Sequence, residues 1–375
     1  MTCHSYPHPF ARRCTTARRI SIVSLLMFLV LAAIPIQAQD SGPILLREAF
    51  VIGGVGQYGR RPIHVDAIEK LIVAGTWEGP EAEGDVVVLP DGTEQAWQHV
   101  TANEGGWIQH DALRGGYAYC TVVLDEPRIM LLHAQGNSSV YVNGRLRAGD
   151  PYRTGFVRLP VSLQAGRNEF LFVCGRGQVR AELTDAAGDV FFNPGDRTLP
   201  SLLHDEPGPV CGGLLVCNAS AAAQTELLLR TSGGPGLPTY DTLVPRIEPF
   251  TVRKVAFWTG GLIPDDVTRC NITVSLIRRQ IGQHDVILDT TDVSLDVTSA
   301  RSRHRRTFVS DIDGSVQYYA VTPGQGQLFG PQASSPGLIM TLHGAGVQAS
   351  GQAAVYGSKP WGACGGTDES PPLRL

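Results

Sequence analysis

The chain has 375 residues, of which 43% are hydrophobic and 18% are charged, and this length suits two or three domains with ordinary cores. The formal net charge of -4 gives no basic surplus, and aromatic and basic residues are scattered rather than interleaved, so we exclude nucleic acid as a partner. The eight cysteines form neither a C-x-x-C pair nor a zinc-like group with histidines, so we expect no metal and no cofactor.

The amino-terminal segment has the features of an export signal. Two arginine pairs precede an apolar run at residues 22–34, and Ala38 follows where a signal peptidase could cut. We therefore expect residues 1–38 to be a signal peptide, and the mature protein to be secreted, periplasmic or part of the cell envelope. The run is shorter than the roughly 20 residues that span a bilayer, so an uncleaved membrane anchor is the weaker alternative.

Residues 41–300 have the pattern of a mainly β protein. Short apolar or alternating runs are separated by Gly, Pro, Asn and Asp, as strands are separated by turns. Within this region Val140 and Val142 alternate with polar residues and precede Asn143-Gly144. This dipeptide predicts a type I′ hairpin, because both central residues of that turn take positive φ.

The stretch 115–183 combines the "VYVNG" hairpin with an "L-x-x-G-x-N" turn. It resembles the galactose-binding-like jelly-roll modules that are attached to many glycoside hydrolases. The resemblance implies a jelly-roll at residues 41–195, which serves either as a scaffold or as a site for a carbohydrate or another cell-surface polymer.

Five aromatic residues of this region are candidates for a sugar-stacking face. The alternative is that they fill the core, as aromatic residues on strands commonly do. They are Trp77, Trp97, Trp107, Tyr117 and Tyr119.

Residues 207–300 repeat the strand-and-turn pattern and predict an immunoglobulin-like or fibronectin-like β-sandwich. The basic run at 301–308 is expected to be a solvated linker. Cys120 and Cys174 both lie in strand-like runs of the first module, so they are either a disulfide candidate or two buried free thiols.

The pattern changes in the last segment, residues 301–375. The apolar run "GLIMTLHG" is followed by glycines and by a stretch that could open a helix, which predicts the start of an α/β domain. With its "HGAG" turn, the segment resembles the α/β-hydrolases, specifically the secreted prolyl-oligopeptidase-like and esterase-like serine hydrolases. By that resemblance the backbone N–H of Gly344 or Ala345 would stabilise an oxyanion, and His343 would orient the turn.

The remaining parts of a serine hydrolase are missing from the sequence. No G-x-S-x-G motif occurs, so no nucleophile is predicted. The tail from residue 362 lacks strand or helix periodicity, and a shifted codon frame could restore an apolar strand there. We therefore expect a truncated catalytic domain with a frameshifted tail.

The sequence as a whole predicts a mainly β fold, with two β-sandwich modules followed by an incomplete α/β-hydrolase segment. The corresponding function is that of a truncated, inactive relative of a secreted serine hydrolase that acts on ester or peptide bonds. Two alternatives remain. One is an exported carbohydrate-binding or surface-binding β-sandwich protein, and the other is a purely structural envelope protein.

Overall fold

The computed structural model describes residues 42–57, 65–233, 237–280, 282, 284–323, 339–342, 344 and 347–357. Most of these residues lie in antiparallel strands, as the sequence predicts for a mainly β fold. Within these ranges, no helix combines the length and the hydropathy that a bilayer-crossing segment needs.

The first part of the chain contains many short strands, one α-helix and a 3-10 turn at Asp111–Leu113. In chain order the elements are β1 (Ile44–Leu45), β2 (Glu48–Ile52), β3 (Gly56–Gln57), β4 (Val65–Asp66), α1 (Ala67–Ala74), β5 (Val86–Val88), β6 (Glu94–Ala96), β7 (Gln98–Thr101), β8 (Ile108–Gln109), β9 (Tyr117–Leu124), β10 (Arg128–Gln135), β11 (Asn137–Val142), β12 (Arg145–Ala148), β13 (Arg158–Leu163), β14 (Gly166–Cys174) and β15 (Gln178–Asp185).

The second part contains longer strands and a short final helix. The elements are β16 (Val190–Thr198), β17 (Leu202–Leu203), β18 (Val210–Asn218), β19 (Leu227–Gly233), β20 (Tyr240–Leu243), β21 (Thr251–Thr259), β22 (Arg269–Arg278), β23 (Val286–Thr298), β24 (His304–Val309), β25 (Val316–Val321) and α2 (Ala349–Gly357).

Two antiparallel sheets form the first sandwich. One has the order β1-β15-β10-β13, with β8 also paired to β15, and the other has the order β12-β11-β14-β9-β2-β7. Side chains alternate across a strand, so Cys120, Phe170 and Phe172 enter the core between the sheets. Tyr119 and Leu171 therefore point to the outer face of the six-stranded sheet.

That outer face is covered by α1 and by the β5–β6 hairpin. The Asp66 carboxylate begins the helix by accepting hydrogen bonds from the backbone N–H groups of Ile68 and Glu69, at 2.8 and 2.9 Å. The same carboxylate accepts a hydrogen bond from the Tyr117 hydroxyl at 2.9 Å, which ties the start of α1 to β9. Gly75 ends the helix in the left-handed conformation, with φ 70°.

The β11–β12 hairpin confirms the turn predicted from Asn143-Gly144. These residues have φ values of 48° and 76°, and Val142 pairs with Arg145 across the turn. The Asn143 side chain also donates a hydrogen bond to the Asn168 side-chain oxygen at 2.9 Å, which links the hairpin to β14. Local sequence and tertiary contacts therefore favour the same turn.

A second sandwich follows, with a separate apolar core. Its sheets have the orders β16-β18-β21 and β17-β23-β22-β19-β20, and Leu229, Phe257 and Val274 are buried between them. Arg147 of β12 links the two sandwiches. Its guanidinium donates to the backbone oxygens of Pro160, at 3.0 Å, and Phe250, at 2.7 Å.

The structure corrects the prediction of an incomplete α/β-hydrolase segment at 301–375. The described residues there form the antiparallel β24–β25 hairpin and the helix α2, without a parallel sheet. Residues 339–342, predicted to lie in a buried strand, are not in a strand, and Leu342 is 88% exposed. An apolar run forms a buried strand only where neighbouring strands pair with it, and the two described strands of this segment, β24 and β25, pair with each other.

The basic run predicted as a linker is also different in the structure. His304–Val309 is strand β24, and it pairs along its length with β25. Val316 of β25 is buried next to Gly213 of β18, so the hairpin packs on the second sandwich. A two-stranded edge hairpin accepts several arginines because one face of each strand remains in water.

Candidate functional site

A cleft of about 1060 Å³ opens on the outer face of the six-stranded sheet, between α1 and the β5–β6 hairpin. Its walls come from four places in the sequence: the helix, the segment that joins it to β5, the β5–β6 hairpin with Trp97 after it, and the start of β14. Aliphatic, aromatic, basic and acidic residues line it, among them Lys70, Trp77, Glu78, Gly79, Glu81, Asp85, Trp97, Arg167 and Glu169.

Three aromatic rings are packed together at this cleft. The ring centroids of Trp77, Trp97 and Tyr119 lie 6.3 to 6.4 Å apart in tilted and edge-to-face pairs. Such a pair is worth about 0.5–1.5 kcal/mol beyond the area that it buries. Trp97 and Tyr119 are almost fully buried, whereas Trp77 is half-buried and lines the cleft. Two buried rings therefore support one ring that reaches solvent.

The segment between α1 and β5 passes directly over Tyr119. A Cβ atom at Gly79 would lie 2.2 Å from the Tyr119 Cζ and hydroxyl oxygen, so only glycine fits there. Asp85 closes this segment by accepting hydrogen bonds from the backbone N–H groups of Glu81, at 2.7 Å, and Ala82, at 2.9 Å. These bonds, chiefly the one from Ala82, lower the pKa of the Asp85 carboxyl.

Arg167 and Glu169 form a polar wall beside the rings. They point to the outer face because they alternate along β14 with the buried residues Asn168 and Phe170. Arg167 donates a hydrogen bond to the Tyr119 hydroxyl at 3.0 Å and lies 3.5 Å from the Glu169 carboxylate. Burial raises the pKa of Tyr119 to about 12, so its hydroxyl stays protonated at neutral pH.

The cleft thus presents a flat ring, two cationic side chains and several carboxylates within one concave surface. Arg167 and Lys70 are hydrogen-bond donors, while Glu78, Glu81 and Glu169 are acceptors. A ligand with an apolar face and a rim of hydroxyl groups would match both features, because its face can stack on Trp77 while its hydroxyls bind the polar wall.

The five aromatic residues predicted as a stacking face have three different locations in the structure: one lines the cleft, three are buried, and one lies elsewhere. Trp77, Trp97, Tyr117 and Tyr119 lie on one face of the sheet, but all except Trp77 are buried there. The core alternative is therefore right for those three. Trp107 is remote from them and lies beneath the Arg153 guanidinium, whose Cζ is 5.9 Å from the indole centroid.

Arg167 and Glu169 were not predicted from the sequence. Their one signal was the alternation of β14, in which they occupy the same face as Leu171 of the cluster on the outer face of the sheet.

Of the residues predicted for an oxyanion turn, His343 and Ala345 lie outside the described residues, and Gly344 lies outside any helix or strand. Their roles remain untested. Across the described ranges, no three His, Cys, Asp or Glu side chains are grouped as metal ligands.

Comparisons with known proteins give structural similarity only. No protein-family model and no curated protein matches the chain. A calcium-binding mutant of β-glucuronidase 2 from Bacteroides uniformis is 12% identical with a TM-score of 0.33, covering 76% of this chain and 35% of that one. A glycosyl hydrolase family 2 member from Bacteroides cellulosilyticus is 14% identical, with a TM-score of 0.31 and coverage of 74% and 38%. An exo-chitosanase from Amycolatopsis orientalis is 12% identical, with a TM-score of 0.31 and coverage of 74% and 36%.

This chain therefore spans little more than a third of the length of each of these structures, and similarity at such low TM-scores supports no statement about activity or ligand. The prediction of serine-hydrolase ancestry is nevertheless wrong. The sheets of the described residues are antiparallel apart from the short pairing of β17 with β23, and these residues supply no parallel sheet of an α/β-hydrolase. The glycine-rich "HGAG" turn was too short a motif to identify a fold.

Proposed function

We propose that this protein is an exported carbohydrate-binding β-sandwich protein, and that its first sandwich holds a glycan in the cleft beside α1. One observation carries the proposal: Trp77, seated on two buried aromatic rings, lies in a concave surface with Arg167 and Glu169. This arrangement combines a stacking surface with hydrogen-bonding groups of both kinds.

Binding in this cleft would be non-covalent and would depend on side chains that are preorganised in the free protein. Trp77 is held by Trp97 and Tyr119, and Arg167 is held by the Tyr119 hydroxyl and by Glu169. Groups that are already fixed lose little conformational entropy when a ligand binds, so a small number of contacts suffices. The sugar face would stack on the indole, and its hydroxyls would bind Arg167 and the acidic rim.

We propose that the first sandwich is a galactose-binding-like jelly-roll and that the second is an immunoglobulin-like or fibronectin-like spacer. The antiparallel six-stranded sheet and the "VYVNG" hairpin at its edge support the first assignment. Export rests on the amino-terminal sequence and remains a prediction.

A panel of neutral oligosaccharides, measured by isothermal titration calorimetry, tests the proposal. We expect the full chain to bind a member of the panel and Trp77→Ala to weaken that binding at least tenfold, about 1.4 kcal/mol, because the stacking ring is removed. Trp258→Ala is the matched control, since Trp258 is 37% exposed but lies on β21 of the second sandwich.

A second variant separates loss of binding from loss of fold. Glu169→Gln changes a half-buried acceptor on the cleft wall and leaves the aromatic cluster in place, so we expect an unchanged melting temperature and weaker binding. Equal affinity of the wild type, Trp77→Ala and Glu169→Gln would overturn the proposal, and so would the absence of binding across the whole panel.

A further inference from the structure

A second polar surface lies on the opposite side of the first sandwich, on the outer face of the five-stranded sheet. Arg180 of β15 points to this face, because it alternates with Val179 and Ala181 of the core between the sheets. Its side chain packs along Gly106, next to Trp107. The loop between β12 and β13 brings Tyr152 and Arg153 to the same place, since Arg153 lies over Trp107.

Two guanidinium groups of this surface lie over aromatic rings. The Arg153 Cζ lies 5.9 Å from the Trp107 centroid, and the Arg176 Cζ lies 4.6 Å from the Tyr152 centroid. Tyr152 is 45% exposed, so this pair is accessible to a ligand. A guanidinium over an aromatic ring can still present N–H groups at its edge, and these can bind a carboxylate or sulfate through two parallel hydrogen bonds.

The acidic groups nearby do not neutralise these two arginines. The Asp150 carboxylate is buried and accepts hydrogen bonds from the backbone N–H groups of Thr154 and Gly155, at 2.9 and 2.7 Å. Glu182 is shared by His133, at 3.2 Å, and Arg180, at 3.7 Å. Among the residues that the structure describes, neither Arg153 nor Arg176 forms an ion pair.

Side-chain amides continue the surface along the sheet. Gln135 pairs in register with Arg180, and the Gln109 amide donates a hydrogen bond to Gln178 at 2.8 Å. A side-chain amide can both donate a hydrogen bond to a hydroxyl group and accept one from it, so this surface can bind hydroxyl groups as well as anions. Cations, rings and amides together match a sugar that carries an acidic group.

We propose that this arginine–aromatic surface, formed by Trp107, Tyr152, Arg153, Arg176 and Arg180, binds an acidic polysaccharide. Arg153 and Arg176 would bind the carboxylate or sulfate groups, and the amides would bind neighbouring hydroxyls. The site is separate from the cleft of the proposed function, because the core between the two sheets lies between them. Duplex DNA is disfavoured, since affinity for it comes largely from phosphates that Lys and Arg neutralise, and this surface offers the two unpaired guanidinium groups of Arg153 and Arg176.

Affinity of the full chain for polygalacturonate, chondroitin sulfate, neutral dextran and duplex DNA tests the inference. We expect binding to at least one acidic polysaccharide, weakening with added salt, and no binding to dextran at this surface. The double variant Arg153→Gln/Arg176→Gln should weaken that binding at least tenfold and flatten its salt dependence. Preference for polygalacturonate identifies a uronate carboxylate as the anion, and preference for chondroitin sulfate identifies a sulfate.

Two controls make the result decisive. Arg269→Gln changes an exposed arginine of the second sandwich and should leave acidic-polysaccharide binding unchanged. Trp77→Ala should also leave it unchanged, so the two sites can fail separately. The inference is overturned if Arg153→Gln/Arg176→Gln binds like the wild type with an unaltered melting temperature, or if duplex DNA displaces the acidic polysaccharide at lower concentration.

Discussion

Burial controls the chemistry of the thiol groups in the first sandwich. It raises the pKa of Cys120 to about 12, and it raises the pKa of Cys174 well above its ordinary value. Cys120 pairs with Phe170, and Cys174 lies four residues further along β14, so the two are separated by roughly 14 Å at about 3.4 Å per residue. A disulfide needs far closer Cα atoms, and both thiols are free.

Cysteine labelling tests this account of the core. At pH 8 we expect N-ethylmaleimide to leave Cys120 and Cys174 of the native protein unmodified, because both are buried and protonated. Cys270, which is only partly buried, should react faster and serves as the internal control. In denaturant without reductant, mass spectrometry should find all three labelled. Persistent protection of Cys120 and Cys174 in denaturant would instead indicate a disulfide.

Among the elements, the β11–β12 hairpin shows most clearly how local sequence specifies structure. The turn requires positive φ at Asn143 and Gly144, and these are the residue types that adopt it at the lowest cost. The runs that form β9 and β14 were equally visible in the sequence as strand-like stretches. Strand β24 was not, because its arginines suggested a solvated linker, whereas the hairpin that it forms with β25 exposes part of each strand.

Replacing the turn glycine measures this local contribution. Gly144 has φ 76°, a region that costs an L-residue about 1–2 kcal/mol, so Gly144→Ala should lower the free energy of unfolding by roughly 1 kcal/mol. Gly175→Ala is the matched control, because Gly175 is an exposed glycine with open space around it and no positive φ. Urea denaturation gives both values. A Gly144→Ala protein as stable as the control would contradict the hairpin geometry.

The candidate cleft could be predicted from the sequence only in part. Trp77 was one of five aromatic candidates, but nothing in the sequence separated it from Trp97 or Tyr119, which the fold buries. Arg167 is 90 residues away from Trp77 along the chain, and the two line one cleft only because α1 and its following segment cover the sheet. Such a cover depends on tertiary packing between distant segments, which local alternation does not report.

At the scale of the whole molecule, the first sandwich contains both proposed binding surfaces. The cleft lies on the outer face of one sheet and the arginine–aromatic surface on the outer face of the other. The second sandwich joins the first through Arg147 and through a small buried cluster that includes Leu131 and Phe191. Under both proposals, recognition belongs to the first sandwich, and the second has a supporting role.

Hydrogen–deuterium exchange of the full chain, with and without a saturating concentration of the tightest neutral oligosaccharide of the panel, tests the central claim most directly. The proposed site predicts slower exchange in residues 68–90 and 166–171, which line or support the cleft, and unchanged exchange in residues 210–230 of the second sandwich. Slower exchange confined to the second sandwich, or no change in residues 68–90, would contradict the claim.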